Sequence, residues 1–108
     1  MREMKSKYYN EKTVYNGVKF DSKKESLYAR KLDILKNAKG NEKVLSYQMQ
    51  VPFQVELSGV KICKYILDFQ VMYSDRTEYV DVKGIKTPMY RLKKKLVEAQ
   101  FGIIIKEV

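Results

Sequence analysis

Asp68-Phe69-Gln70-Val71-Met72-Tyr73, the polar break Ser74-Asp75-Arg76-Thr77, and Glu78-Tyr79-Val80-Asp81-Val82-Lys83-Gly84 form the stretch on which the reading of this chain turns. Two alternating segments around a short break predict an antiparallel hairpin. With Asp75-Arg76 as its two-residue turn, Asp68 falls opposite Lys83. Asp81 and Lys83 are two apart and point to one face of their strand. Asp68 shares that face, because directly opposed residues do. Two carboxylates and an amine then gather beside Gly84, a site for a divalent cation with an ammonium next to it. The plainer alternative is a solvated ion-pair ladder, worth little in stability. Against it, Ile66, Leu67, Phe69, Val71, Val80 and Val82 make both strands apolar on much of both faces, poor surroundings for surface decoration.

A chain of 108 residues suits one domain with a single modest core. It contains no run of 18 apolar residues, so no membrane-spanning helix is expected. Met1-Arg2-Glu3-Met4-Lys5 lacks the apolar segment of a signal peptide. The single cysteine, Cys63, has no partner for an internal disulfide and favours a reducing cytoplasm. Its apolar context reads as a small core residue rather than a nucleophile. The net charge of +9 implies a polyanionic partner, most often nucleic acid, the alternative being general solubility. With no histidine in the sequence, histidine acid–base pairs, Ser-His-Asp triads and His-ligated zinc are excluded. Any catalysis must run on carboxylates, lysines, tyrosines and hard ions such as Mg²⁺.

Residues 1–12 form a basic, aromatic arm. Lys5, Lys7 and Tyr8 are candidates for lying along a nucleic-acid backbone, with a frayed terminus as the alternative. Asn16-Gly17 between alternating segments predicts a type I′ hairpin over residues 13–21. Ser22 with Glu25 three residues on is a capping box, opening a helix that should end near Asn37 to Gly40. Glu25 therefore has a structural explanation; the rival reading makes it a third carboxylate facing Asp68 and Asp81. Val44 to Leu57 reads as a long strand with Pro52 at a bend or edge. Ser58-Gly59 turns into a second strand, Val60 to Tyr73. Gln50 reaches the carboxylate cluster only if the sheet register permits. Thr87 caps a second helix with Pro88 at its first position, and Ile103-Ile104-Ile105 follows as a short buried strand. Lys86, Arg91, Lys93, Lys94 and Lys95 lie between Gly84 and Val97 with no acid among them. A charge run of one sign just beyond a carboxylate cluster suits phosphate contact better than a merely solvated face.

The order is thus helix, three strands, helix, strand, with an acid on the helix, Asp68 on the second strand and Asp81-Val82-Lys83 on the third. This αβββαβ order resembles the PD-(D/E)xK, or restriction-endonuclease-like, superfamily. Phe20-Asp21-Ser22-Lys23-Lys24-Glu25, Gln50-Val51-Pro52-Phe53, Tyr65-Ile66-Leu67-Asp68-Phe69 and Asp81-Val82-Lys83-Gly84 with Lys86-Thr87 resemble small phage endonucleases of the Holliday junction resolvase type, from about Lys7 onward. Leu67 stands where the superfamily's name places proline, and Asp81 where glutamate is commoner. The resemblance implies an α+β fold with a mixed central sheet flanked by helices. It also implies a Mg²⁺-dependent endonuclease (Mn²⁺ substituting) acting on branched DNA as a homodimer, in the host cytoplasm if phage-encoded. Glu25, Asp68, Asp81 and Lys83 would be catalytic, with Gln50 accessory. Asp68, Asp81 and the Val82 carbonyl would hold the metal, Glu25 a second ion or the first through water. Lys83 would orient or deprotonate the attacking water. Two other readings stand beside it: a non-catalytic basic DNA-binding module, which has no use for paired acids, and an assembly protein recruiting an acidic partner.

Overall fold

The structure, a computed structural model, describes residues 13–20 and 22–108; the expectations on Lys5, Lys7 and Tyr8 lie outside them. A ribbon of β1 (Thr13–Tyr15) and β2 (Val18–Phe20) precedes helix α1 (Lys23–Leu35). Strands β3 (Ser46–Leu57), β4 (Val60–Met72) and β5 (Thr77–Asp81) follow, then helix α2 (Pro88–Phe101) and strand β6 (Ile105–Glu107). The sheet order is β3-β4-β5-β6, antiparallel throughout except for the parallel pair β5–β6. A parallel neighbour needs a crossover, which α2 supplies. The fold is α+β with a mixed four-stranded sheet in the expected αβββαβ order. Among the described residues no helix is long and apolar enough to cross a membrane.

Local chemistry accounts for the punctuation. Asn16 and Gly17 (φ 52° and 77°) and Ser58 and Gly59 (φ 52° and 80°) adopt the paired positive φ of type I′ turns, whose twist matches the flanking strands. The Ser22 hydroxyl accepts the Glu25 N–H at 3.1 Å, and Thr87 accepts from Tyr90 N–H at 3.1 Å, both as predicted. Helix α1 ends earlier than expected: after Leu35 the backbone tightens into three-residue turns, Asn37 N–H to Ile34 and Ala38 N–H to Leu35, each at 3.1 Å. Strand β3 also begins at Ser46 rather than Val44, because Val44 N–H is held by the Leu35 carbonyl at 3.1 Å. Strand β6 is Ile105–Glu107, not residues 103–105. Gly102 (φ 65°) ends α2, and the Glu98 carboxylate takes Ile105 N–H at 2.7 Å. The two residues between are spent on the return.

The hairpin register is a larger correction. Tyr73 N–H donates to the Arg76 carbonyl at 2.8 Å, so Ser74-Asp75 is the turn and Asp75-Arg76 is not. Arg76 is held out of the turn by its guanidinium, 3.9 Å over the Tyr73 ring and 2.8 and 2.9 Å from Asp75 and Glu78. Pairing runs from Phe69 with Val80 to Met72 with Thr77, which places Asp68 opposite Asp81 rather than Lys83. The slip moves the partner by two residues, so the shared face survives.

Two apolar clusters make the core. Ala29 and Leu32 of α1 pack with Phe20, Phe69, Val71, Val80 and Val82. Val97 of α2 packs with Val55, Tyr65, Leu67 and Ile105. Leu67 and Phe69 belong to different clusters although a regular strand would give them one face. The changeover falls at Asp68. Asp33 of α1 ties the first cluster's elements together by accepting hydroxyl hydrogen bonds from Tyr15 at 2.7 Å and Tyr47 at 2.8 Å. Burial pushes its carboxyl upward, but the two tyrosines and Lys36 outweigh this and hold it below the ordinary range.

Candidate functional site

Asp81 closes β5 and is wholly buried; Asp68, opposite, is 8% exposed. Their carboxylates stand in for ladder hydrogen bonds. Asp68 N–H donates to Asp81 Oδ1 at 3.0 Å, and Val82 N–H donates to Asp68 Oδ2 at 2.9 Å. The Tyr65 hydroxyl donates to Asp81 Oδ2. Such bonds to a charged acceptor contribute about 1.5–3 kcal/mol each, yet two neighbouring anions out of water remain costly. Burial accordingly pushes the Asp81 carboxyl above its ordinary value. The Asp68 N–H, Lys83 and Tyr90 oppose that rise, and Glu107 adds to it.

Lys83 follows on the same face. Its N–H donates to the Val108 carbonyl at 3.3 Å, so β6 continues the positioning of this segment beyond β5. Its ammonium lies 4.9 Å from the centroid of the Tyr90 ring. The Lys83 carbonyl accepts from Lys24 Nζ at 3.3 Å, which brings the first turn of α1 to this end of the hairpin. Glu25, the next residue, gives its N–H to Ser22 Oγ, and its carboxylate Oε1 lies 3.5 Å from the same hydroxyl as acceptor. Asp68, Asp81 and Lys83 are brought together; among the described residues no three Asp, Glu, Cys or His side chains form a metal-holding group.

Gln50 occupies the position of β3 across from Asp68. Pairing passes from Met49–Phe69 to Val51–Leu67, and Gln50 between them adopts φ 55°. A left-handed conformation costs a non-glycine residue about 1–2 kcal/mol, and such strain gathers at functional sites. Gln50→Gly is therefore expected to raise the melting temperature, by about 1 kcal/mol of added stability, read by thermal denaturation.

Three residues of the site carry no signal in the local sequence. Tyr65 and Tyr90 stack with ring centroids 6.3 Å apart. The Tyr90 hydroxyl donates to Glu107 Oε2 at 2.8 Å, and burial first, then this bond and the charge of Asp81, push its pKa far up. Glu107 is the parallel-strand partner of Asp81, a relation that only the crossover creates. The Thr87-Pro88 cap was legible, and it sets Tyr90 in the first turn of α2; which tyrosine reaches the acids was not.

Beyond Glu107 opens a groove of about 410 Å³ lined by Lys86, Arg91, Lys94, Lys95 and Glu107. Lys93 is half-buried and does not line it. Lys86 pairs with Glu107 at 3.2 Å and Lys94 with Glu98 at 3.4 Å. The Tyr90 hydroxyl, followed by Lys86 and Lys94, holds the Glu107 carboxyl below its ordinary value against a smaller effect of burial. The two acids and Lys83 thus lie one parallel strand away from a basic groove. No curated protein and no solved structure matches the chain. Residues 5–107 match the family described as a protein of unknown function, DUF1064, and the chain belongs to that family.

Proposed function

We propose that this chain is a metal-dependent DNA endonuclease of the PD-(D/E)xK type that hydrolyses phosphodiester bonds, selective for branched DNA such as a four-way junction. The carrying observation is the buried Asp68–Asp81 pair with Lys83 beside it, next to a basic groove. An architectural or purely binding domain gains nothing from burying two anions beside the phosphates it must attract. The donor set fits Mg²⁺ or Mn²⁺: hard carboxylate oxygens, with neither imidazole nor thiolate among them. Asp68 and Asp81 would hold the ion with the Val82 carbonyl, and Glu25 would serve from α1. A bound Mg²⁺ would lower the pKa of water and neutralise phosphate charge. Lys83 would orient the attacking water or take its proton, and its charge would offset that developing on the phosphate. Gln50 would be accessory at the Asp68 position.

Lys86, Arg91, Lys94 and Lys95 would track the strand's backbone, with Lys93 alongside. Arg91→Gln and Lys95→Gln should each weaken binding similarly for all sequences and reduce the slope of log affinity against log salt by about 1, measured by fluorescence anisotropy. Two cuts across a junction need two sites, so the acting species would be a two-fold homodimer. The exposed row Val60, Ile62 and Ile66 on β4 is apolar surface open to a second copy. The proposed compartment is the cytoplasm, that of the host if the protein is phage-encoded.

The test is cleavage of a labelled four-way junction and of linear duplex, with Mg²⁺, Mn²⁺ or chelator, beside Asp68→Asn. Paired nicks near the branch point, lost in chelator and in the variant, are expected. Equal cutting of both substrates would remove the junction preference and keep the active site. Tight binding without cleavage in either metal would hand the chain to the DNA-binding class.

A further inference from the structure

We infer that Tyr90 is a positioning residue: its ring seats the Lys83 ammonium, and its hydroxyl holds Glu107, the strand partner of Asp81. This inference rests on the nuclease reading for its catalytic consequence, but not for its geometry.

Three independent contacts converge on this one side chain. The first is electrostatic. A lysine ammonium 4.9 Å from the ring centroid is within the range of a cation–π attraction, which strengthens when the pair is shielded from water. Lys83 and Tyr90 are both half-buried. Lysine carries four rotatable bonds and no fixed fork of donors, so its head must be placed by its surroundings. Beneath it stands an aromatic face, which attracts the charge without taking a proton or a metal ligand from it.

The second contact runs through Tyr65. Its ring stacks on Tyr90 at 6.3 Å with an interplanar angle of 27°, and its hydroxyl donates to Asp81. Loss of the Tyr90 ring would leave Tyr65 without its stacking partner and loosen the orientation of the carboxylate. The third is the hydroxyl itself. Glu107 and Asp81 are strand partners of like charge, and the Tyr90 hydroxyl donates to Glu107 at 2.8 Å. Lys86 neutralises Glu107 from the groove side. Glu107 is thereby held on Tyr90 and Lys86.

Tyr90 itself is fixed by α2. Its N–H caps onto Thr87, and Pro88 holds the first turn, so the ring cannot drift without unwinding the helix start. A rigid element supporting the groups that act is what pre-organised chemistry requires.

The test separates ring from hydroxyl. Lys83 is assigned by NMR in lysine-labelled protein, where the Tyr90 ring current should shift its ε-methylene protons upfield. Tyr90→Phe should retain that shift and Tyr90→Leu should lose it. On the junction substrate, Tyr90→Leu should lower kcat by about 10²-fold, the scale of a small misplacement of a reacting group, with KM unchanged. Tyr90→Phe should fall by about threefold, the hydroxyl's share being smaller than the ring's, and Tyr90→Trp should recover most of the loss relative to leucine. An unshifted Lys83 in the wild type, or a shift that survives in Tyr90→Leu, overturns the inference. So does a Tyr90→Leu effect confined to KM. Should Tyr90→Leu fail to fold, Lys83→Met reads the contact from the other side. Movement of the Tyr90 ring resonances supports it, and unchanged resonances overturn it. A wild type that cuts no DNA defeats the nuclease reading while the NMR comparison still decides the position of Lys83.

Discussion

Asp81→Asn is expected to abolish DNA cleavage while leaving the protein at least as stable to heat as the wild type. The loss of activity follows from removing one of two carboxylates that would hold the ion, a contribution of several kcal/mol and so about 10³-fold or more in kcat. The stability half follows from burial. Asp81 is wholly buried beside a second acid and a strand away from Glu107, and its folded-state pKa is raised. A raised folded pKa means that the group favours folding below its ordinary value of 3.8. That advantage disappears as pH climbs through the raised value, leaving a net cost at neutrality. Asparagine removes the charge and keeps the shape. Its oxygen accepts from Asp68 N–H, and its amide donates to the Tyr65 oxygen. The variant should therefore gain on the order of 1 kcal/mol at pH 7, roughly 4–8 °C in Tm for a domain of this size. The difference from wild type should shrink toward acid and close below pH 3.8. Calorimetry at a series of pH values from about 3 to 7 measures it. A variant that is both inactive and markedly less stable would make Asp81 a structural residue.

Phe69→Ala carries the largest expected effect on stability. Phe69 is 1% exposed, with Tyr28 tilted against it at 5.2 Å and Tyr47 edge-on at 6.0 Å. Its backbone pairs with Met49 on one side and Val80 on the other, so the cavity would open between α1 and the middle of the sheet. Phenylalanine truncation in a core costs about 3–5 kcal/mol, a large part of the 5–15 kcal/mol that a domain usually has. The variant should unfold at a much lower denaturant concentration, and its activity should fall through the population of folded protein. Phe69→Leu should recover more than half of the loss. Urea unfolding followed by circular dichroism distinguishes the two. A change below about 1 kcal/mol, the size of a surface substitution's effect or a little more, would mean that the first cluster collapses around the gap.

What the sequence revealed and what it hid divide along one physical line. Turns and caps are local, so Asn16-Gly17, Ser58-Gly59, Ser22 with Glu25, and Thr87-Pro88 were legible and stand where expected. Alternation disclosed the face shared by Asp68, Asp81 and Lys83, because a register error of two residues preserves parity. The pairing itself was hidden by Arg76, whose bonds to Asp75, Glu78 and the Asn41 carbonyl draw it out of the turn. No local pattern distinguishes Tyr90 or Tyr65 from the other tyrosines, or marks Glu107 as a neighbour of Asp81. Those relations exist only after α2 has carried the chain back to lay β6 beside β5.

That return of the chain bears on the order in which the site assembles during folding. The ribbons β1–β2, β3–β4 and β4–β5 close short loops and belong to the early, local part of folding. Asp68 and Asp81 can meet as soon as the β4–β5 hairpin forms. The Val108 carbonyl that takes Lys83 N–H waits for the parallel pairing of β5 with β6, a non-local contact and so a slower one to form. A half-folded chain would thus carry its paired acids before the Lys83 backbone is tied to Val108. On the nuclease reading, full activity would follow that last step, and hydrogen exchange at the Lys83 and Val108 amides would report it.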